Sequence, residues 1–286
     1  MKRKILFGTL VLLLIVSVAA ILIAGSALSA PAPQTVGNLP DDLNGSSVQF
    51  QSNSGSTIHG WYIPGQRGAG VIVLMHGVRS NRLSMVERAR FLSHEGYSVL
   101  LFDFQGHGES HGEHITFGYL ESEDAKAAID FVRNAAPGER IGVIGGSMGG
   151  AASLLANPPL KVNSMVIEMV YPTINDAVAD RLAAHLGRWA KVLSPLLLIQ
   201  LKPRLGITAD DLRPIDHVGQ LTIPKLFIAG ANDQHTTLAE SRKIFETASE
   251  PKEFWVVPGA AHVDLHNAAR VEYELRVVDF FKRTLR

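Results

Sequence analysis

"IGVIGGSMGGAASLLA", Ile141 to Ala156, is the stretch whose reading decides the fold. An apolar, β-branched run stops at a pair of glycines. One serine follows, then a methionine and two more glycines, and the chain turns rich in Ala and Leu. A strand that turns directly into a helix forces its hinge residue into strained dihedrals. Gly145 and Gly149, two before and two after Ser147, remove the side chains that would collide there. The G-x-S-x-G pattern predicts an elbow that lifts the Ser147 hydroxyl above the edge of a sheet. The next amide, that of Met148, would point into the same space and can stabilise an oxyanion. In a chain with 26 glycines the pattern alone is weak. A Gly-rich turn with a capping serine is the alternative, and the flanking segments decide between them.

Those segments alternate. "SVQFQS" and "STIHGWYI" sit either side of an Asn-Ser-Gly turn and read as a hairpin. "GVIVLMHG" is a continuous β-branched run, as expected for a strand buried on both faces. Further strands are expected at "YSVLLFDF", "RIGVIGG", "VNSMVIEMV", "PKLFIAG" and "KEFWVVPG". Helical spacing marks "SMVERARFLSHEG", "GYLESEDAKAAIDFVRNAAPG", "TLAESRKIFETA" and a terminal helix from about Ala268 to Lys282. Strands and helices in alternation predict an α/β fold with a mostly parallel central sheet and helices on both faces. Tyr171 to about Pro214 breaks the rhythm with helical pieces only. An insertion leaving the carboxyl ends of the strands is placed to form a lid. Its apolar run, Val192 to Leu201, would either line an acyl pocket or dock as plain core.

The chain has 286 residues, 46% of them hydrophobic, enough for one substantial core. Lys plus Arg equals Asp plus Glu, and no basic cluster is interleaved with aromatics, which argues against a nucleic-acid partner. The absence of cysteine excludes disulfides, thiol catalysis and Cys-based zinc sites. At the N-terminus "MKRK" precedes an uncharged run from Ile5 to Ala24, long enough to cross a bilayer as a helix. Lys2, Arg3 and Lys4 would stay cytoplasmic, leaving the rest outside. Residues 1–28 are therefore a transmembrane signal anchor, or a signal peptide cleaved within "AGSALSAPAP" and releasing the rest. Residues 29–47, rich in Pro, Gly, Asn and Asp, read as a linker, and residues 48–286 as the domain. Asn44 begins an N-glycosylation sequon.

A serine hydroxyl needs a base. His262 lies just past a strand, on a loop of small residues in "WVVPGAAHVDLHN". His266 is the neighbouring candidate, expected to open the terminal helix. The imidazole needs an acid to fix its tautomer. Asp233, in "LFIAGANDQHT", follows a strand after the lid, and the order Ser, Asp, His suits this arrangement. An Asx-turn is its other reading, and Glu168, ending "SMVIE", is the alternative acid. The amide of Val78, after His76-Gly77, is the expected second oxyanion donor, with His76 shaping the loop. His107, His111 and His114, with Glu109 and Glu113, pose a metal question. They sit on a glycine-punctured loop without the rigid spacing zinc requires, so a structural loop is expected, with no metal and no cofactor.

Taken together, "HGVRSN", "FDFQGHGES", "GGSMGG", "GANDQHT" and "PGAAH" resemble the α/β-hydrolase superfamily, over about Gln49 to Arg286. The closest flavour is the serine-aminopeptidase-like and acylglycerol-lipase-like branch. The resemblance implies Ser147 as nucleophile, His262 as base, Asp233 as acid, and Val78 and Met148 as oxyanion amides. It predicts a serine hydrolase that cleaves a small-molecule acyl ester, a lipid or thioester among the options. Peptidase or amidase chemistry with the same triad, or a silent hydrolase fold used as an anchored binding module, are the competing readings.

Overall fold

In the computed structural model residues 2–286 are described, apart from the side chains of Arg3 and Leu14. The first helix, α1 (Lys2–Ser29), is 28 residues long and carries no charged residue after Lys4. The hairpin expected from the sequence is β1 (Ser46–Gln51) and β2 (Thr57–Ile63), paired antiparallel. The alternation then runs β3 (Val71–Met75), α2 (Val86–His94), β4 (Ser98–Phe102), α3 (Tyr119–Ala135), β5 (Ile141–Gly146), α4 (Met148–Leu155) and β6 (Ser164–Glu168). The insertion holds α5 (Ile174–Leu186), α6 (Ser194–Leu198) and α7 (Leu201–Leu205), followed by a short α8 (Ile215–Val218). The chain closes with β7 (Lys225–Gly230), α9 (Leu238–Thr247), β8 (Lys252–Val257), α10 (Leu265–Ala268) and α11 (Arg270–Leu285).

The eight strands lie in the order β8-β7-β6-β5-β3-β4-β2-β1. From β8 to β4 all neighbours are parallel, and β2 runs against β4 and β1. The period of two along β3 explains the two cores. Val71, Val73 and Met75 pack on one face with α3 and α4, while Ile72 and Leu74 pack on the other with α2 and α11. A strand covered on both faces has no polar position, which is why "VIVLM" is apolar throughout. Ser147, Asp233 and His262 all follow the carboxyl ends of parallel strands, so the topology brings them to one edge of the sheet.

The segment expected as a tether is laid against the domain. Ala32–Pro33 pairs in parallel with His107–Gly108, Asn81 donates to Gln34 at 2.7 Å, and Leu43 is buried. The amides of Val36 and Gly37 donate to Glu109 at 3.1 and 3.2 Å.

Candidate active site

Ser147 stands at φ 49°, ψ −113°, a conformation that costs a non-glycine residue of order 1–3 kcal/mol. Both flanks hold it there. Its N–H donates to the Glu168 carbonyl at 2.8 Å, and its carbonyl accepts from Ala151 at 2.9 Å. A side-chain carbon on Gly145 would lie 2.7 Å from the Gly150 backbone, and one on Gly149 would lie 2.7 Å from the His76 carbonyl. The two glycines are therefore required by close approach, and the strain falls on the one residue between them that carries a hydroxyl.

Asp233 is buried and fully engaged. Its Oδ1 accepts the amides of His235 and Thr236 at 2.8 and 2.9 Å, and its Oδ2 accepts His262 Nδ1 at 2.8 Å. Burial by itself would raise this carboxyl. The His262 hydrogen bond and charge and the two amides outweigh it and hold Asp233 below the usual carboxylate range. With Nδ1 donating to Asp233, His262 Nε2 is left as an acceptor. Among the described residues, no hydrogen bond joins Ser147 Oγ to His262. Such bonds are often long in an empty site and tighten around substrate.

Two alternatives are drawn off elsewhere. Glu168 is buried against Arg88, with Oε2 2.9 Å from Nη2, and its Oε1 accepts the Tyr273 hydroxyl. His266 is buried, stacked on Phe91, with Nε2 2.8 Å from Glu274. His76 is also fully buried. Its Nδ1 lies 2.7 Å from the Gly77 carbonyl and its Nε2 accepts the Phe104 amide at 3.1 Å. Burial, then the His107 charge, press its pKa to about 3, so the ring stays neutral and shapes the loop. That loop runs beside the elbow, since a side chain on Gly77 would sit 3.6 Å from Ser147 Cβ.

The "DFQGHGES" loop has its own frame. Asp103 accepts the amides of Arg82 and Glu109 at 2.7 and 2.9 Å and pairs with the Arg82 guanidinium, which also pairs with Glu109 and lies over the Trp61 ring. Glu109 is thus tied to Arg82, and among the described residues no three His, Asp or Glu side chains converge as a metal site.

A cavity of about 570 Å³ opens over Ser147. Val78, Ser147 and Met148 line it, together with Phe117, Tyr171 and Ile174. The lid supplies most of the rest, from Ala177 to Leu205, so its apolar run does reach the pocket. Three arginines, Arg79, Arg181 and Arg204, line it, and among the described lining residues there is no Asp or Glu. A larger, more open hollow of about 960 Å³ lies between α2 and α11, lined by charged residues and away from Ser147. Sequence reasoning missed Arg181 and His235. His235 packs 5.2 Å from the His262 ring and 6.1 Å from His185, a pocket residue, forming a row between cavity and acid. Burial and the Arg181 charge lower the His235 pKa.

Residues 66–214, more than half of the chain, match the family described as "Serine aminopeptidase, S33". The chain belongs to that family. The S33 match holds β3, the elbow and the lid, and ends before Asp233. Among curated relatives, the uncharacterised YqkD of Bacillus subtilis is 24% identical over 84% of this chain and 80% of its own length. The α/β-hydrolase domain-containing protein WAV2 of Arabidopsis thaliana is 27% identical over 76% of this chain and 72% of its own. The Pyrococcus furiosus esterase Pf2001 is 26% identical, with a TM-score of 0.73 over 89% of this chain and 99% of its own. With the parallel sheet and helical insertion, these make the S33 chain an α/β-hydrolase.

The lid faces the core across a pair of carboxyl groups. Asp180 on α5 binds Lys191 at 2.6 Å and faces Glu240 on α9, whose Oε2 accepts the Thr237 amide at 2.8 Å. Burial, then the Asp180 carboxylate, push Glu240 up to about 7 from 4.5. The folded state therefore favours the protonated acid. The stability it contributes is complete below the ordinary value and lost as pH rises through about 7. We expect the hydrogen-exchange protection of residues 174–186, corrected for intrinsic rates, to fall across that pH. In Glu240→Gln it should stay level.

Proposed function

We propose that this chain is a membrane-anchored serine esterase acting on acyl esters through Ser147, His262 and Asp233. The observation that carries the reading is the cavity. It is largely apolar, is lined by Ser147, and presents three arginines and no acid among its described lining residues. An aminopeptidase must hold the free amine of its substrate, and a site without a carboxylate offers no counter-charge for an ammonium group. An ester carries no such charge and suits an apolar cleft.

In the first step Ser147 Oγ attacks the acyl carbon while its proton passes to His262 Nε2. Asp233 holds the imidazole by Nδ1 and balances the imidazolium. The amides of Met148, at the start of α4, and Val78 would take the oxyanion. The ester C–O bond then breaks, and the imidazolium proton leaves with the alcohol. Water, deprotonated by the same nitrogen, releases the acid and restores the serine.

The anchor reading of α1, with Lys2 to Lys4 cytoplasmic and the domain outside, belongs to the same proposal. Its support is the helix's length and apolar composition. The test is fluorophosphonate labelling of the full chain, wild type against Ser147→Ala. It is paired with p-nitrophenyl esters from acetyl to long chains and an alanyl p-nitroanilide. We expect labelling only in the wild type and turnover that favours the longer esters. Equal labelling of both proteins removes Ser147 from the mechanism. Preference for the anilide restores the peptidase.

A further inference from the structure

The last turns of α1 are part of the cavity wall. Ala24, Gly25, Ala27, Leu28 and Ser29 line it alongside the lid. The contact is built rather than incidental. Gln200 donates to the Ile21 carbonyl at 3.1 Å, Arg204 to Leu22 at 2.7 Å, and Arg79 reaches the Ala27 carbonyl. Gly25 sits inside a helix, where glycine is less favourable than alanine. A side-chain carbon there would meet the Gln200 amide, so a larger residue would have to displace the group that donates to Ile21.

The position of this contact along α1 matters. A hydrocarbon core of about 30 Å takes about 20 helical residues. Ile5 to Ala24 fill that length, so Ile21 to Ser29 lie at the carboxyl edge of the span. The lid beside them has the character of an interfacial segment. From Arg181 to Gly206 it carries five Lys or Arg and no Asp or Glu, and with Lys191 paired to Asp180 just before this stretch four cations are left over, in a chain of zero formal charge. Trp189 is 65% exposed, and Val192 and Ile199 are each 75% exposed. Apolar and aromatic groups among cations, without acids, are what an anionic leaflet binds. Leu186 is half exposed and also lines the cavity, which places the cavity rim on this same surface.

We propose that the lid from Arg181 to Gly206 lies in the membrane interface, and that with Ala24 to Ser29 it forms an acyl groove opening onto the bilayer. The substrate is then an acyl lipid drawn sideways from the leaflet. This second part rests on the esterase reading. The α1 helix is in this view a component of the binding site as well as an anchor.

The test uses the full chain in vesicles of phosphatidylcholine with phosphatidylglycerol. Trp61 and Trp255 are buried, so the difference between wild type and Trp189→Phe isolates Trp189 emission. With lipids brominated near the headgroup, that component should be quenched by roughly half or more, as an interfacial indole requires. Equal emission in brominated and plain vesicles overturns the interfacial placement. The second arm compares a long-chain ester dissolved in the vesicles with aqueous p-nitrophenyl acetate. Gly25→Leu and Ile199→Asp should each lower the long-to-short ratio of kcat/KM about tenfold. Gly8→Leu, on α1 with open space around it, should leave the ratio unchanged. An unchanged ratio in the first two variants overturns the groove. If no ester is turned over at all, the esterase reading has failed and the substrate falls with it. The quenching arm still decides where the lid lies.

Discussion

In His262→Ala, ester turnover is expected to fall by on the order of 10⁶-fold, and in Asp233→Asn by about 10⁴-fold. The difference follows from what each side chain does. Without the imidazole, nothing accepts the Ser147 proton. With asparagine at position 233, the ring remains but its tautomer is no longer fixed. Asp233 accepts His262 Nδ1 and the amides of His235 and Thr236. An asparagine can keep its carbonyl toward those amides, and its NH₂ then faces Nδ1 as a donor. That arrangement selects the tautomer with the proton on Nε2, which cannot accept from the serine. Because the groups act as one unit, the Ser147→Ala/His262→Ala double variant should lose no more than either single variant. Stopped-flow kinetics with a p-nitrophenyl ester separate the cases. Additive losses would show that Ser147 and His262 act independently. Full activity in Asp233→Asn would leave Asp233 only its turn-forming bonds.

The elbow was legible in the sequence because its pattern is local. Gly145 is needed by approach to the Gly150 backbone, Gly149 by approach to the Met75 and His76 carbonyls at the end of the neighbouring strand, and the flanking apolar runs mark the strand and helix. Asp233 and His262 were legible for a related reason: each follows a strand end, and parallel strands put their ends together. What the sequence hid depends on distant partners. Glu168 could be read as an acid for His262 because a carboxylate at a strand end looks the same in either role. Its partner Arg88 is 80 residues away. The segment from Ser29 to Ser47 has the composition of a linker. Composition reports a lack of regular structure, whereas Gln34, Val36 and Leu43 make side-chain and backbone contacts that no pattern announces. The long apolar run at the N-terminus shows its length in the sequence. Which of its residues would meet the lid was set by Gln200 and Arg204, at the far end of an insertion without a periodic signature. The terminal helix, expected from about Ala268, begins at Arg270 after the separate turn of α10, where Asp264 caps by accepting the His266 amide.

Removing the Glu168 carboxylate should destabilise the fold more than any other single side-chain change around the elbow. Arg88, Glu168 and Tyr273 are all buried, and they satisfy one another. Arg88 Nε is 3.0 Å from the Tyr273 hydroxyl, and its Nη2 is shared between Glu168 at 2.9 Å and Asp264 at 2.8 Å. In Glu168→Ala the guanidinium stays in the core with only the half-exposed Asp264 to balance it. Breaking a buried pair in this way costs about 3–5 kcal/mol, because the remaining charge has lost its solvent and its partner together. For a chain of this size that corresponds to a fall in Tm on the order of 10 °C. The triple variant Arg88→Met/Glu168→Leu/Tyr273→Phe removes both charges and the hydroxyl they satisfy and should recover most of the loss, since an apolar replacement of similar volume is often neutral. The network also braces the site. Glu168 supplies the carbonyl that holds the Ser147 amide, and Asp264 lies two residues beyond His262. Thermal unfolding measured beside fluorophosphonate labelling of the folded fraction distinguishes bracing from chemistry. Glu168→Gln should unfold earlier and still label at Ser147, whereas a Glu168 serving as the acid for His262 would lose labelling while the fold stayed intact.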